Sequence, residues 1–183
     1  MNQEHILARA REFAQKHHKD INWETTSGYR RHQLNHLQEV VDLVWISGGS
    51  EIEQAAAWLH DTVEDTPVEL AEIEENFGKE VADIVHGLTD LDEYKDLPTK
   101  ERKQKQAERV KKESESVRRI KIADQISNTR FVSSDAHPNW TLEHNRDYVR
   151  GAKVIAENCK GVSPLLDEIF DREYKAGAKR LGI

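Results

Sequence analysis

The chain has 183 residues, 33% of them charged, and a formal net charge of −7 at pH 7. That balance argues against general nucleic-acid binding, which draws on a Lys/Arg excess facing the phosphates. No apolar run approaches the roughly 20 residues of a membrane span, no terminus pairs a charged start with an apolar stretch, and the single Cys159 excludes an internal disulfide and suits a reducing compartment. A cytoplasmic chain is expected, folded as one domain over residues 1–183.

Helix signals dominate in chain order. Apolar periodicity predicts a helix over residues 3–18, and 20–33 is the least regular stretch. His36 opens an apolar-periodic run predicted as a helix to residue 46. Ser50-Glu-Ile-Glu53 is a capping box for a helix over 51–65, and Thr66-Pro-Val-Glu69 reads as a second box, with proline at the first helical position, for a helix over 67–76. Further helices are expected over 79–87, 100–112, 115–133, 142–158 and 164–178, the last opened by Ser163-Pro164. Glycines at 48, 49, 78, 87 and 161 fall where helices stop or bend. Strand signals are nearly absent, so the expected fold class is all-α, a helical bundle.

The chemistry concentrates in three of these segments. In Leu59-His-Asp-Thr-Val-Glu-Asp-Thr66, helical spacing stacks His60 on Glu64 and Asp61 on Asp65, which puts four polar groups on one side of an apolar helix. His36 begins the helix before it, and Asp124 sits in the apolar run Ile120-Lys-Ile-Ala-Asp124, with Asn128 one turn later. Two imidazoles and two carboxylates make a mixed nitrogen and oxygen set that suits manganese, iron, zinc or nickel and leaves positions open for water and substrate. A divalent ion so held acidifies water, which is what a hydrolase needs. Glu64 and Asp65, one turn beyond, are candidates to orient that water or act as general base. Acids at a helix C-terminal end oppose the dipole, so a chemical role explains them better than a capping one.

His36, the paired His60-Asp61 and Asp124, in that order on three helices, resemble the HD superfamily of metal-dependent phosphohydrolases. With Leu88-Thr-Asp90, Leu97-Pro-Thr-Lys-Glu-Arg-Lys103 and Ile120-Lys-Ile-Ala-Asp-Gln-Ile-Ser-Asn-Thr-Arg130, they look like consecutive landmarks of the Rel/Spo-type alarmone hydrolase domain, in its stand-alone small form. The resemblance implies an HD-type bundle that uses one Mn²⁺, held by His36, His60, Asp61 and Asp124, to remove the 3′-pyrophosphate from (p)ppGpp-like nucleotides. It further implies substrate contacts at Asn128, Tyr148 and the Lys100, Arg102, Lys103 end of a basic run, with Arg146 and Lys121 as further candidates. The expected partner is a small nucleotide, with no nucleic acid, membrane or obligate protein partner.

Three positions depart from the family pattern. The Arg-Lys pair usually found before the first histidine has no clean match in residues 17–32, an arginine one turn before the family tyrosine is His144, and the proline after the first histidine is Leu37. Trp23, Tyr29, Arg30 and Arg31 are candidates to rebuild that wall. These changes keep open an alternative substrate, an adenosine alarmone, NADPH or a simple nucleoside phosphate, and an alternative class, a nucleotide-sensing module. A pure sensor has no use for a water-activating pair such as Glu64 and Asp65.

Overall fold

The structure is a computed structural model that describes residues 3–183. The elements run α1 (Gln3–His18), β1 (Asn22–Glu24), β2 (Arg30–His32), α2 (Gln33–Ile46), α3 (Glu51–Leu59), α4 (Thr62–Asp65), α5 (Leu70–Phe77), α6 (Lys79–Leu88), α7 (Thr99–Val110), α8 (Glu115–Asp135), α9 (Leu142–Cys159) and α10 (Pro164–Leu181), with a 3₁₀ turn at Asp92–Tyr94. The fold is all-α, as the periodicity predicts. No helix among the described residues is long and apolar enough to cross a membrane.

The long helix α8 is the axis of the bundle. It packs against α2, α6, α9 and α10, and Ile120, Ile122, Ala123 and Ile126 are essentially sealed from solvent. Leu37, Val40 and Val44 of α2 and Ala55, Ala56 and Leu59 of α3 close the same core. Burying each large aliphatic side chain is worth about 1.5–3 kcal/mol, so this core sets the positions of the polar groups that α2, α3 and α8 carry. On the far side α9 reaches α7 at Gly151, where an added Cβ would meet the Lys103 side chain at 2.5 Å. Any larger residue there would push α7, and Lys103 with it, off α9.

Local signals hold at two helix starts. Glu53 N–H donates to Ser50 Oγ (3.2 Å) and Ser50 N–H to Glu53 Oε2 (2.7 Å), which completes the predicted box. Ser163 Oγ caps α10 by accepting from Leu166 N–H at 3.3 Å, with Pro164 in the first turn.

Four expectations are corrected. The stretch 20–33 is a β-hairpin, pairing Asn22 with His32, Trp23 with Arg31 and Glu24 with Arg30, closed by a turn with Gly28 at φ 83. Its tip is tied to the end of α8, where Ser27 N–H donates to Asp135 Oδ1 (2.8 Å) and Thr26 N–H to the Ala136 carbonyl (3.0 Å). Helix α2 starts three residues before His36, because His32 Nδ1 caps it by accepting from Leu34 N–H at 3.1 Å. The helix expected over 51–65 breaks after Leu59, with Asp61 at φ −94, ψ −3, in the sparsely populated bridge region. Thr66 does not cap a helix: its hydroxyl donates to the Thr62 carbonyl (2.7 Å) and accepts from Val68 N–H, and α5 begins only at Leu70.

Candidate metal centre

His36 lies in the first turns of α2, His60 ends α3, Asp61 follows it, and Asp124 sits in the middle of α8; the two histidines and Asp124 are buried. The core packing of those helices brings the four together. His36 Nε2 is 3.2 Å from His60 Nε2 and 3.5 Å from both Asp61 Oδ2 and Asp124 Oδ1, and His60 Nε2 is 3.1 Å from Asp61 Oδ1.

Hydrogen bonds on the far side of each ring decide what faces the centre. His60 Nδ1 lies 2.8 Å from the Ala57 carbonyl, which can only accept, so Nδ1 carries the proton. Ser127 Oγ spends its hydrogen on Glu39 Oε2 (2.6 Å), so at 2.9 Å it accepts from His36 Nδ1. In the neutral form that ligates metals, both rings therefore aim an Nε2 lone pair at the same point. Burial, aided by His60, pushes the His36 pKa down to about 3, so a proton does not relieve the opposition near pH 7. Ligand bonds of about 2.0–2.2 Å let donors 3.2 Å apart share one ion. His36, His60 and Asp124 present ligand atoms all within 4.8 Å of one another, and Asp61 borders them. The donor set fits a divalent cation.

The electrostatics point the same way. Burial raises the Asp61 pKa well above its ordinary value, and the charges of Asp65, Asp124 and Glu64 raise it further. Burial also pushes Asp124 up, but Lys121, 3.3 Å away, with His60 and His36, outweighs it and holds this carboxyl well below the usual carboxylate range.

A cavity of about 360 Å³ opens over the cluster. Glu64 and Asp65 line it, and burial raises the pKa of both, in the direction of a general base. Glu64 Oε1 is oriented by the Asp90 backbone N–H at 2.6 Å. Arg102, Lys103 and Lys121 supply positive charge to the wall. Lys103 is buried over the Tyr148 ring, 4.0 Å from its centroid, and burial lowers its pKa to about 7. Tyr148 lines the same wall, as does Asn128, whose amide donates to Asp124 Oδ1.

Two predicted substrate contacts lie elsewhere. Lys100 lines a separate groove with Gln104, Asp147 and Arg150, and Arg146 donates through Nε to the Leu181 carbonyl at 2.8 Å, tying down the end of α10. Arg146 is two residues from Tyr148, and residues so spaced point to nearly opposite sides of a helix; Lys100 lies in the first turn of α7, beside a different groove from Lys103 one turn on.

Other lining residues carry no individual sequence signal: Gln33, Gln106, Gln125 and Phe131. Trp140 has one, a spacing of four to His144 and eight to Tyr148. The Trp140 ring centroid lies 4.3 Å from that of His144 and 5.6 Å from that of Tyr148. Of the candidates for a rebuilt wall, Trp23 and Arg31 line the cavity.

Comparison with known proteins agrees with this architecture. Residues 10–148 match the HD domain family. The guanosine-3′,5′-bis(diphosphate) 3′-pyrophosphohydrolase MESH1 of Danio rerio is 33% identical over 135 residues, 74% of this chain and 69% of that protein. The Homo sapiens protein of the same name is 29% identical over 177 residues, covering 92% of this chain and 93% of its own length. A solved structure described as a metazoan ortholog of SpoT that hydrolyzes ppGpp superposes with a TM-score of 0.84 at 27% identity, over 94% of this chain and 95% of that one. With most of its length matched and the histidine and aspartate cluster at its centre, this chain belongs to the HD domain family.

Proposed function

We propose that the chain is a phosphohydrolase of guanosine alarmones, which converts (p)ppGpp-type nucleotides to GDP or GTP plus pyrophosphate. In this reading residues 1–183 act as one domain in the cytoplasm, on a small-molecule nucleotide and without an obligate protein partner. The observation that carries it is the pair of buried imidazole lone pairs converging beside Asp61 and Asp124, beneath a cavity that His36 and both carboxylates line together with Arg102, Lys103 and Lys121. The activity for which the MESH1 relatives are named supports the substrate class.

His36, His60, Asp61 and Asp124 would hold the ion, Mn²⁺ in this proposal. Bound there, a divalent ion supplies Lewis acidity to water and to a phosphoryl oxygen. Glu64 and Asp65 orient the water and take its proton. Arg102, Lys103 and Lys121 hold the pyrophosphate group and offset the charge that builds on it. The water oxygen bonds to the phosphorus on the ribose 3′-oxygen, the bond from that phosphorus to the 3′-oxygen breaks, and the 3′-oxygen leaves with a proton. Turnover in ¹⁸O-labelled water is expected to put the label in pyrophosphate. Label on the nucleoside, orthophosphate as the first product, or inactivity on every 3′-pyrophosphorylated nucleotide would count against it.

A second reading changes only the base. The cavity carries three aromatic side chains, Trp23, Phe131 and Trp140, with Arg31 over the Phe131 ring. Stacking accepts any purine face, which favours weak discrimination between guanine and adenine alarmones. Parallel kcat/KM values for the two substrates test it.

A further inference from the structure

The carboxylate of Asp61 is held by a side chain that neither the sequence motifs nor the proposed chemistry uses. Gln33, the first residue of α2, is 4% exposed. Its Nε2 donates to Asp61 Oδ2 at 2.6 Å, and its Oε1 accepts from Trp23 Nε1 at 2.6 Å. An indole nitrogen only donates and a carboxylate only accepts, so a side chain that bridges them must accept at one end and donate at the other. The Gln33 amide does both, and its two partners settle which way round it sits.

The same construction stands on the other carboxylate. Lys103 Nζ donates to Gln125 Oε1 (3.2 Å), and Gln125 Nε2 donates to Asp124 Oδ2 (2.8 Å). Each aspartate thus receives an amide N–H whose partner oxygen is engaged by a donor on the cavity wall. Trp23 sits on β1, in the wall over the cluster, so the Gln33 bridge spans from the hairpin to the metal-facing carboxylate.

The geometry points to Gln33 as a positioning residue that fixes the orientation of Asp61 and, through Trp23, makes the grip of that carboxylate on a divalent ion depend on how the hairpin is seated. This rests on the metal reading above. Hydrogen-bond partners that orient metal ligands are worth roughly 10–100-fold in metal affinity, and residues joined in one network show non-additive effects.

The test reads Mn²⁺ affinity without substrate, from the electron paramagnetic resonance of the free ion, for wild type, Gln33→Leu, Trp23→Phe and the double variant. Circular dichroism melts check the fold. Gln33→Leu is expected to weaken binding at least tenfold. Trp23→Phe keeps the ring and loses the N–H; it is expected to weaken binding about threefold in the wild-type background and not at all beside Gln33→Leu. In turnover, Trp23→Phe is expected to lower kcat with KM unchanged. A wild-type protein that binds no Mn²⁺ would overturn the metal reading and this inference with it. A metal-binding wild type whose affinity is within twofold of Gln33→Leu, or whose two substitutions simply add, would overturn the bridge alone.

Discussion

At its floor the cavity is made of side chains carried by core helices, whereas at its rim it is made of a three-residue strand pair and the residues just before α9. His36, His60 and Asp124 are at most 5% exposed and are placed by α2, α3 and α8, whose apolar faces form the main core. Trp23 is 38% exposed and is placed by a hairpin whose tip hangs on hydrogen bonds to Asp135 and Ala136. The difference separates two tasks. Holding an ion demands donors fixed to within a fraction of an ångström, and packing supplies that. A stacking face for a base, as proposed, demands only a flat apolar surface, which the hairpin offers at Trp23, joined to the floor through Gln33.

That contrast breaks most visibly at the floor. Asp61→Ala and His60→Ala are expected to lose bound metal together with turnover, a fall in kcat of at least about a thousandfold, since the Lewis acidity the ion would supply goes with it. Metal analysis beside kinetics checks it, and a variant that is metal-free yet active would remove the floor from the chemistry.

Next in size are Glu64→Gln and Asp65→Asn. These keep the ion and are expected to lower kcat by about 10²–10⁴-fold, the range of general acid–base catalysis. If either lost metal instead, it would have to be counted among the ligands.

The rim responds through binding. Trp23→Ala removes the stacking face and is expected to raise KM by about tenfold, within the 1–3 kcal/mol that base stacking contributes. Its kcat falls less, to the extent that the Gln33 bridge is lost. An unchanged KM would place the base elsewhere.

The smallest effects belong to residues that face away from the cavity. Lys100→Ala and Arg146→Ala are expected to change kcat/KM by less than about twofold. Arg146→Ala should still lower thermal stability, by about 1 kcal/mol for the lost bond to the Leu181 carbonyl. A tenfold kinetic loss in either would return it to the substrate site.

Much of the floor is legible in the amino-acid sequence. His36, His60, Asp61 and Asp124 lie in or beside helices with local signals, the Ser50 cap of α3 and the apolar repeats of α2 and α8. The rim is not. Residues 22–24 and 30–32 have no alternating pattern, and the bonds that hold their turn reach about 108 residues along the chain.

Helical periodicity, chemical type and order along the chain are properties of neighbouring residues, and they suffice for an all-α chain with one histidine and aspartate centre. Which face of each helix meets the cavity is a matter of how separate helices pack. That packing turns Lys103 inward and Lys100 outward on α7, and Tyr148 inward and Arg146 toward the C-terminal helix on α9. It also sets Gln33 between Trp23 and Asp61, a bridge over three separate elements that no local pattern encodes, because its energy exists only once all three are in place.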